Sequence, residues 1–258
     1  MRLARHVYEK RGYLAGDDRS RLKDLHDMFQ DKEIKAIFCT RGGYGAMRLL
    51  DDIEYEMIKE NPKIFAGYSD ITALLLGILE KTGLVTFHGP MVRGLASKNQ
   101  GNFESLLNVI SSNEPLKLSF QEGTTVAAGK ADGKLIGGNL SMLCHLVGTP
   151  YLPSLEGCIL FVEEKGEALY RLDRMLNHLR LSGQLKGLSA FVAGGFEECG
   201  DREAIKDLLG DVLSGLEIPM AIGLPLGHGL QNVALPIGLP AELDADSKTL
   251  SLLETAIT

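Results

Sequence analysis

Apolar positions along the chain follow two alternating rhythms. Short, near-continuous apolar runs read as buried strands, and runs with apolar residues every three or four positions read as helices. Over residues 17–30, Leu22, Leu25, Met28 and Phe29 share one helical face, and Asp17 and Asp18 favour its N-terminus. Residues 34–39 predict a buried strand, followed by Arg41-Gly42-Gly43-Tyr44-Gly45 and a helix through Met47, Leu49 and Leu50. A second buried strand, residues 64–66, ends at Gly67, and a helical pattern opens at Asp70 through Ile71, Leu74, Leu75, Ile78 and Leu79. Residues 84–87 predict a third strand, which stops at His88-Gly89-Pro90. Strands alternating with helices predict a parallel α/β sheet for this part of the chain.

The stretch Ser111-Ser112-Asn113-Glu114-Pro115 breaks the alternation and predicts a domain boundary, giving units 1–114 and 115–258. Beyond it, 116–120 and 124–128 read as short strands. Residues 133–139 read as a glycine-rich approach to a helix capped by Asn139 and carrying Leu140, Leu143 and Val147. A buried strand over 158–162 has Glu163 and Glu164 at its end. Leu169, Leu172, Met175, Leu176 and Leu179 then share a helical face. A strand over 188–193, a helix through Ile205, Leu208, Leu209, Val212 and Leu213, and a strand over 218–224 follow. The last runs into Pro225-Leu226-Gly227-His228-Gly229. Residues 241–243 and 249–253 fit a closing hairpin around a polar turn.

Composition narrows the classes. Apolar residues make up 45% and charged residues 24%, as in ordinary globular proteins. A formal charge of −7 argues against nucleic acid or an anionic membrane as partner. No apolar run reaches the length of a membrane span, and Met1 to His6 do not read as the apolar core of a signal peptide. Cys39, Cys144, Cys158 and Cys199 are scattered singly, with no C-x-x-C and no Cys/His cluster. They read as free thiols in a reducing compartment, which makes the cytoplasm the expected location.

Candidate chemistry sits at the strand ends. Strand, tight turn and helix around Gly67-Tyr68-Ser69-Asp70 match a nucleophile elbow, although Ile71 stands where a full G-x-S-x-G would have glycine. The competing reading is a turn in which Ser69 or Asp70 caps the helix. Glu163 and His228 also stand at strand ends. A serine needs a base to take its proton, and a histidine base needs a carboxylate to hold its tautomer and stabilise its cation. Against that, Glu163 reads equally as a solvated carboxylate and His228 as a loop histidine.

The segments Arg41-Gly42-Gly43-Tyr44-Gly45, Gly67-Tyr68-Ser69-Asp70-Ile71-Thr72, His88-Gly89-Pro90-Met91, Gly137-Gly138-Asn139-Leu140, Leu160-Phe161-Val162-Glu163-Glu164 and Gly223-Leu224-Pro225-Leu226-Gly227-His228-Gly229 resemble, in order, the motifs of the LD-carboxypeptidases. These are serine peptidases acting on murein peptides. The resemblance implies a Ser-Glu-His triad of Ser69, Glu163 and His228, with Glu164 the competitor for the acid. It implies an oxyanion hole from the backbone N–H of Gly42 or Gly43 and that of Asp70. It also implies a Rossmann-like N-terminal domain, a C-terminal α/β domain with barrel character, and an active site in the cleft between them. The implied reaction is removal of the terminal D-alanine from murein tetrapeptide at an L,D bond, in cell-wall recycling. In Gram-negative-type murein the L-centre belongs to meso-diaminopimelate. The same superfamily holds the microcin C immunity proteins, which cleave peptidyl or aminoacyl adenylates. Their adenine contacts lean on aromatic residues, often tryptophan, and this chain has no Trp. No cofactor or metal is implied, and the six histidines show no metal-ligand pairing. A homodimer stays open.

Arg41 is a candidate clamp for the substrate's terminal carboxylate, with an ion pair to Asp51 or Asp52 as the competing reading. His88 reads as structural, tying the loop before Pro90. The family pattern has a strand and helix before the segment resembling Gly12-Tyr13-Leu14-Ala15-Gly16, where this sequence has about a dozen residues. From this follow the expectation of an uncovered strand edge and a third reading, a non-catalytic remnant.

Overall fold

The computed structural model describes residues 1–95 and 100–257. Helix α1 (Asp18–Gln30) starts where the Asp17 side chain accepts the Ser20 N–H at 2.7 Å, the ordinary N-cap arrangement. Strand β1 (Ala36–Phe38), a 3₁₀ segment (Ala46–Asp52), α2 (Tyr55–Glu60) and β2 (Ile64–Gly67) follow. Next come α3 (Thr72–Thr82), β3 (Thr86–His88), α4 (Val92–Leu95) and α5 (Gln100–Ser111). The remaining elements are β4 (Lys117–Ser119), β5 (Thr124–Ala127), β6 (Lys130–Asn139), α6 (Leu140–Leu146), β7 (Cys158–Lys165) and α7 (Leu169–Leu181). They continue with β8 (Ala190–Glu197), α8 (Arg202–Leu213), β9 (Met220–Ile222), β10 (Leu235–Ile237), β11 (Pro240–Asp244) and β12 (Thr249–Leu252).

Two sheets result, in a mixed α/β fold. The first has the order β1-β2-β3-β10. Its first three strands are parallel, as the alternation predicted, but β10 adds to β3 antiparallel, with Leu235 opposite His88. Period-2 alternation sends Phe65 and Ala66 to opposite faces. Phe65 joins the main core with α3, and Ala66 and Phe87 pack with Leu106 and Val109 of α5. β1 is half-covered rather than buried, because it pairs with β2 alone among the described residues.

The second sheet has the order β4-β12-β11-β6-β7-β8-β9-β5. β6 to β9 run parallel, and antiparallel strands flank them on both sides. The sheet is open: no pairing joins β4 to β5 among the described residues, so the expected barrel character takes the form of an unclosed sheet. Residues 133–139, the glycine-rich approach to α6, are strand. Their glycines answer to close neighbours, since a Cβ on Gly137 would fall 1.9 Å from the Phe161 carbonyl oxygen.

Helix α3 is the hub. Thr72 to Leu79 are all buried, as expected of a helix that is apolar on every side. It packs in one core with side chains of both sheets, and the Thr72 hydroxyl accepts the Asn139 N–H at 3.1 Å where β6 ends.

Candidate active site

β2 leads straight into the candidate nucleophile. Tyr68 is extended, and Ser69 then turns to φ 64°, a left-handed conformation that a serine adopts only when its surroundings enforce it. The enforcement is visible at Gly67, where a Cβ would lie 2.7 Å from Ile71 Cγ2 and 3.3 Å from Cys39 Cβ. The turn is therefore tight, and it lifts the Ser69 hydroxyl off the sheet.

His228 comes from the loop between β9 and β10. Its Nε2 lies 3.1 Å from Ser69 Oγ, and its Nδ1 lies 2.6 Å from Glu163 Oε2. With the ring proton on Nδ1, that nitrogen donates to the carboxylate and Nε2 accepts from the serine hydroxyl. The three side chains form one line, from Ser69 through His228 to Glu163. Gly227 lets the loop come this close: at φ +108°, a Cβ there would sit 2.7 Å from Glu163 Oε2.

Glu163 is fully buried rather than solvated, because β7 continues through it to Lys165. Burial raises its pKa, and the His228 hydrogen bond and charge oppose that shift. Its Oε1 has no hydrogen-bond partner among the described residues, so His228 is the group that satisfies this carboxylate. Glu164 points away from it. It accepts hydrogen bonds from Asn139 Nδ2, the Ser141 N–H and the Lys165 N–H at 2.8–2.9 Å, which fixes the start of α6.

The glycine loop comes up beside the serine. A Cβ on Gly42 would fall 3.0 Å from Ser69 Cβ and 3.1 Å from its Oγ. Gly43, at φ +137°, has the Arg41 guanidinium folded over it. Arg41 is exposed and forms no ion pair among the described residues. The expected Asp51 alternative is occupied otherwise, since Asp51 accepts the Tyr151 hydroxyl at 2.5 Å. Asp70 directs its carboxylate to the far end of the same loop, where it accepts the Ala46 N–H at 2.9 Å.

Behind the histidine stands an aromatic wall. The Tyr68 ring meets His228 edge-on at 4.9 Å and His88 at 5.9 Å, and His88 meets Phe161 at 5.4 Å. His88 is fully buried, and neither ring nitrogen has a hydrogen-bond partner among the described residues. It ties the loop through packing, not through a side-chain bond.

Sequence reasoning missed the support of the His228 loop. Asn232 Oδ1 accepts the Gly227 N–H at 3.0 Å, and Asn102 Oδ1 accepts the Asn232 N–H at 2.8 Å. Asn102 Nδ2 donates to the Leu230 carbonyl, and Ser105 Oγ accepts the Ala234 N–H. The available signal was Asn102 and Ser105 beside Leu106 and Val109, a helical face that is polar at one end and apolar at the other. No group of three or more His, Cys, Asp or Glu side chains is arranged to hold a metal ion among the described residues. No described helix is long and apolar enough to cross a membrane.

Known proteins match the chain over most of its length. The profile for the LD-carboxypeptidase N-terminal domain matches residues 1–89, and that for the LD-carboxypeptidase C-terminal domain matches residues 132–243. A probable murein peptide carboxypeptidase of Bacillus subtilis is 37% identical over 274 aligned residues, covering 100% of this chain and 83% of its own. The murein tetrapeptide carboxypeptidase of Pseudomonas aeruginosa is 35% identical, covering 95% and 83%. Among solved structures, an MccF-like protein from Bacillus anthracis superposes with a TM-score of 0.91 at 31% identity, covering 97% of this chain and 86% of its own.

Proposed function

We propose, from the premise that the chain belongs to the LD-carboxypeptidase family of serine peptidases, that it removes the C-terminal D-alanine of murein tetrapeptide by acyl transfer through Ser69. The observation that carries this reading is the continuous line Ser69 Oγ, His228 Nε2, His228 Nδ1, Glu163 Oε2, at 3.1 and 2.6 Å. His228 takes the hydroxyl proton as Oγ attacks the carbonyl carbon of the L-centre. The new negative oxygen is met by the N–H of Gly42 or Gly43 and that of Asp70. The imidazolium, stabilised by Glu163, then protonates the departing D-alanine amine, leaving an ester on Ser69. A water, deprotonated by His228, cleaves that ester and restores the serine.

Arg41, exposed and without an ion pair among the described residues, is our candidate for the substrate's terminal carboxylate. The cytoplasm is the proposed location, and 1–114 and 115–258 are the proposed units, with the cleft between them holding substrate. The likeness to the MccF-like structure supports a second reading, hydrolysis of an aminoacyl adenylate at the same serine. The absence of any Trp to stack on adenine favours the peptide.

Incubation of the purified chain with murein tetrapeptide, read by mass spectrometry, tests the assignment. Equimolar tripeptide and free D-alanine are expected, with none from Ser69→Ala. A folded chain that releases no D-alanine, or cleaves an aminoacyl sulfamoyl adenosine instead, overturns it.

A further inference from the structure

Residues 41–45 hang between two fixed points. At the near end, the Thr40 carbonyl accepts the Arg93 N–H at 3.0 Å, and the Cys39 carbonyl accepts the Val92 N–H at 3.1 Å. At the far end, Gly45 turns left-handed at φ +117° and opens the 3₁₀ segment without a side chain to cap it. The missing cap comes from Asp70, 24 residues later, whose Oδ2 accepts the Ala46 N–H at 2.9 Å. Arg21 adds a donor to the Gly45 carbonyl at 3.1 Å. Gly42, between these points, is where the loop comes against Ser69.

The same residue thus enters the site twice. In the proposed reaction the Asp70 backbone N–H is one oxyanion donor, and its carboxylate holds the loop that carries the other. We propose that the Asp70 side chain is the positioning group of the oxyanion hole, capping the Ala46 N–H so that the glycine donor and the Asp70 donor converge on one oxygen. The inference rests on Ser69 being the nucleophile. Burial disfavours this carboxylate's charge, and the Ala46 and Gly45 N–H groups offset part of that cost. A carboxylate serving only to steady the 3₁₀ segment would affect stability and leave transition-state binding alone. One serving the hole must affect kcat.

Three variants separate these roles: Asp70→Ala removes the acceptor, Asp70→Asn keeps a good capping oxygen, and Asp70→Glu moves the carboxylate out by one methylene. Kinetics of D-alanine release are read together with the affinity of a peptide boronic acid, whose tetrahedral adduct on Ser69 places an oxygen in the hole. Asp70→Ala is expected to lower kcat by about 10²-fold with KM within about threefold, and to weaken the boronate by a similar factor. Asp70→Asn should lose less than about tenfold, and Asp70→Glu should fall nearer to the alanine variant. A folded Asp70→Ala with kcat within about threefold of the parent, or a loss confined to KM, overturns the proposal. If the alanine variant does not fold, the order of Asn above Glu decides, and Glu equal to or above Asn overturns it. The boronate affinities need only a reactive serine. They therefore test the positioning role even if the tetrapeptide is not the substrate, whereas Ser69-dependent release by the parent chain tests the reading itself.

Discussion

In the proposed mechanism Ser69, His228 and Glu163 act as one unit, so their losses should not add. Ser69→Ala is expected to cut turnover by about 10⁴-fold or more with the fold intact, His228→Ala by as much, and the double variant by little further. A double variant whose loss is the product of the two singles would contradict a shared step. The two neighbouring carboxylates should part in character. Glu163→Gln removes the anion facing His228 and should lower kcat by about 10³-fold or more. Glu164→Gln disturbs two hydrogen bonds at the start of α6 and one to the Lys165 N–H at the end of β7, and should cost about 1–3 kcal/mol in denaturant unfolding with a far smaller change in kcat. The sequence left these two residues unresolved for a physical reason. An apolar run stops being visible where carboxylates begin, yet β7 continues to Lys165, and adjacent side chains on a strand face opposite ways. Which of them meets His228 depends on register, which composition does not carry.

At the level of elements, α1, α3, α7 and α8 were legible because each carries an apolar face at helical spacing, or apolar residues throughout. Asp17 and Asp201 cap their helices from the chain itself. What escaped notice was short, or polar for a reason. β10 is three residues long and includes Pro236, which a strand tolerates at such a margin. β6 hid behind glycines that are there to let Phe161 and Thr72 approach. α5 keeps Asn102 and Ser105 where a core helix would be apolar, because those side chains hold the His228 loop. Asn102→Ala should therefore lower kcat by about 10- to 10²-fold through a looser His228, with the helix retained by circular dichroism. Unchanged turnover would show that Asn232 and Ser105 suffice.

For the molecule as a whole, His88 is the clearest source of acid sensitivity. Burial, aided by the nearby His228, pushes its pKa down to about 3, whereas an unfolded chain would titrate near 6.5. Between those values the unfolded state binds a proton that the folded state refuses, so stability falls as pH drops, by up to about 1.4 kcal/mol per unit. Above pH 6.5 both states carry a neutral ring and the contribution vanishes. His88→Phe, which fits the aromatic wall, should flatten the dependence of the urea midpoint between pH 6.5 and 4. An unchanged slope would assign the acid sensitivity to other groups. A second molecule-wide consequence follows from β10. The chain leaves the second sheet at β9, carries His228 across, and pairs through β10 with the much earlier β3, so the proposed base is strung between two sheets. Ser69 and His228 are 159 positions apart in the chain. On a ribosome, the serine emerges long before any base exists to activate it, and the last strands must close before the line forms. Biosynthesis thus carries its own safety catch: a nascent or prematurely ended chain displays an elbow but cannot cut, and activity should be the last property regained on refolding, after secondary structure and after burial of the core.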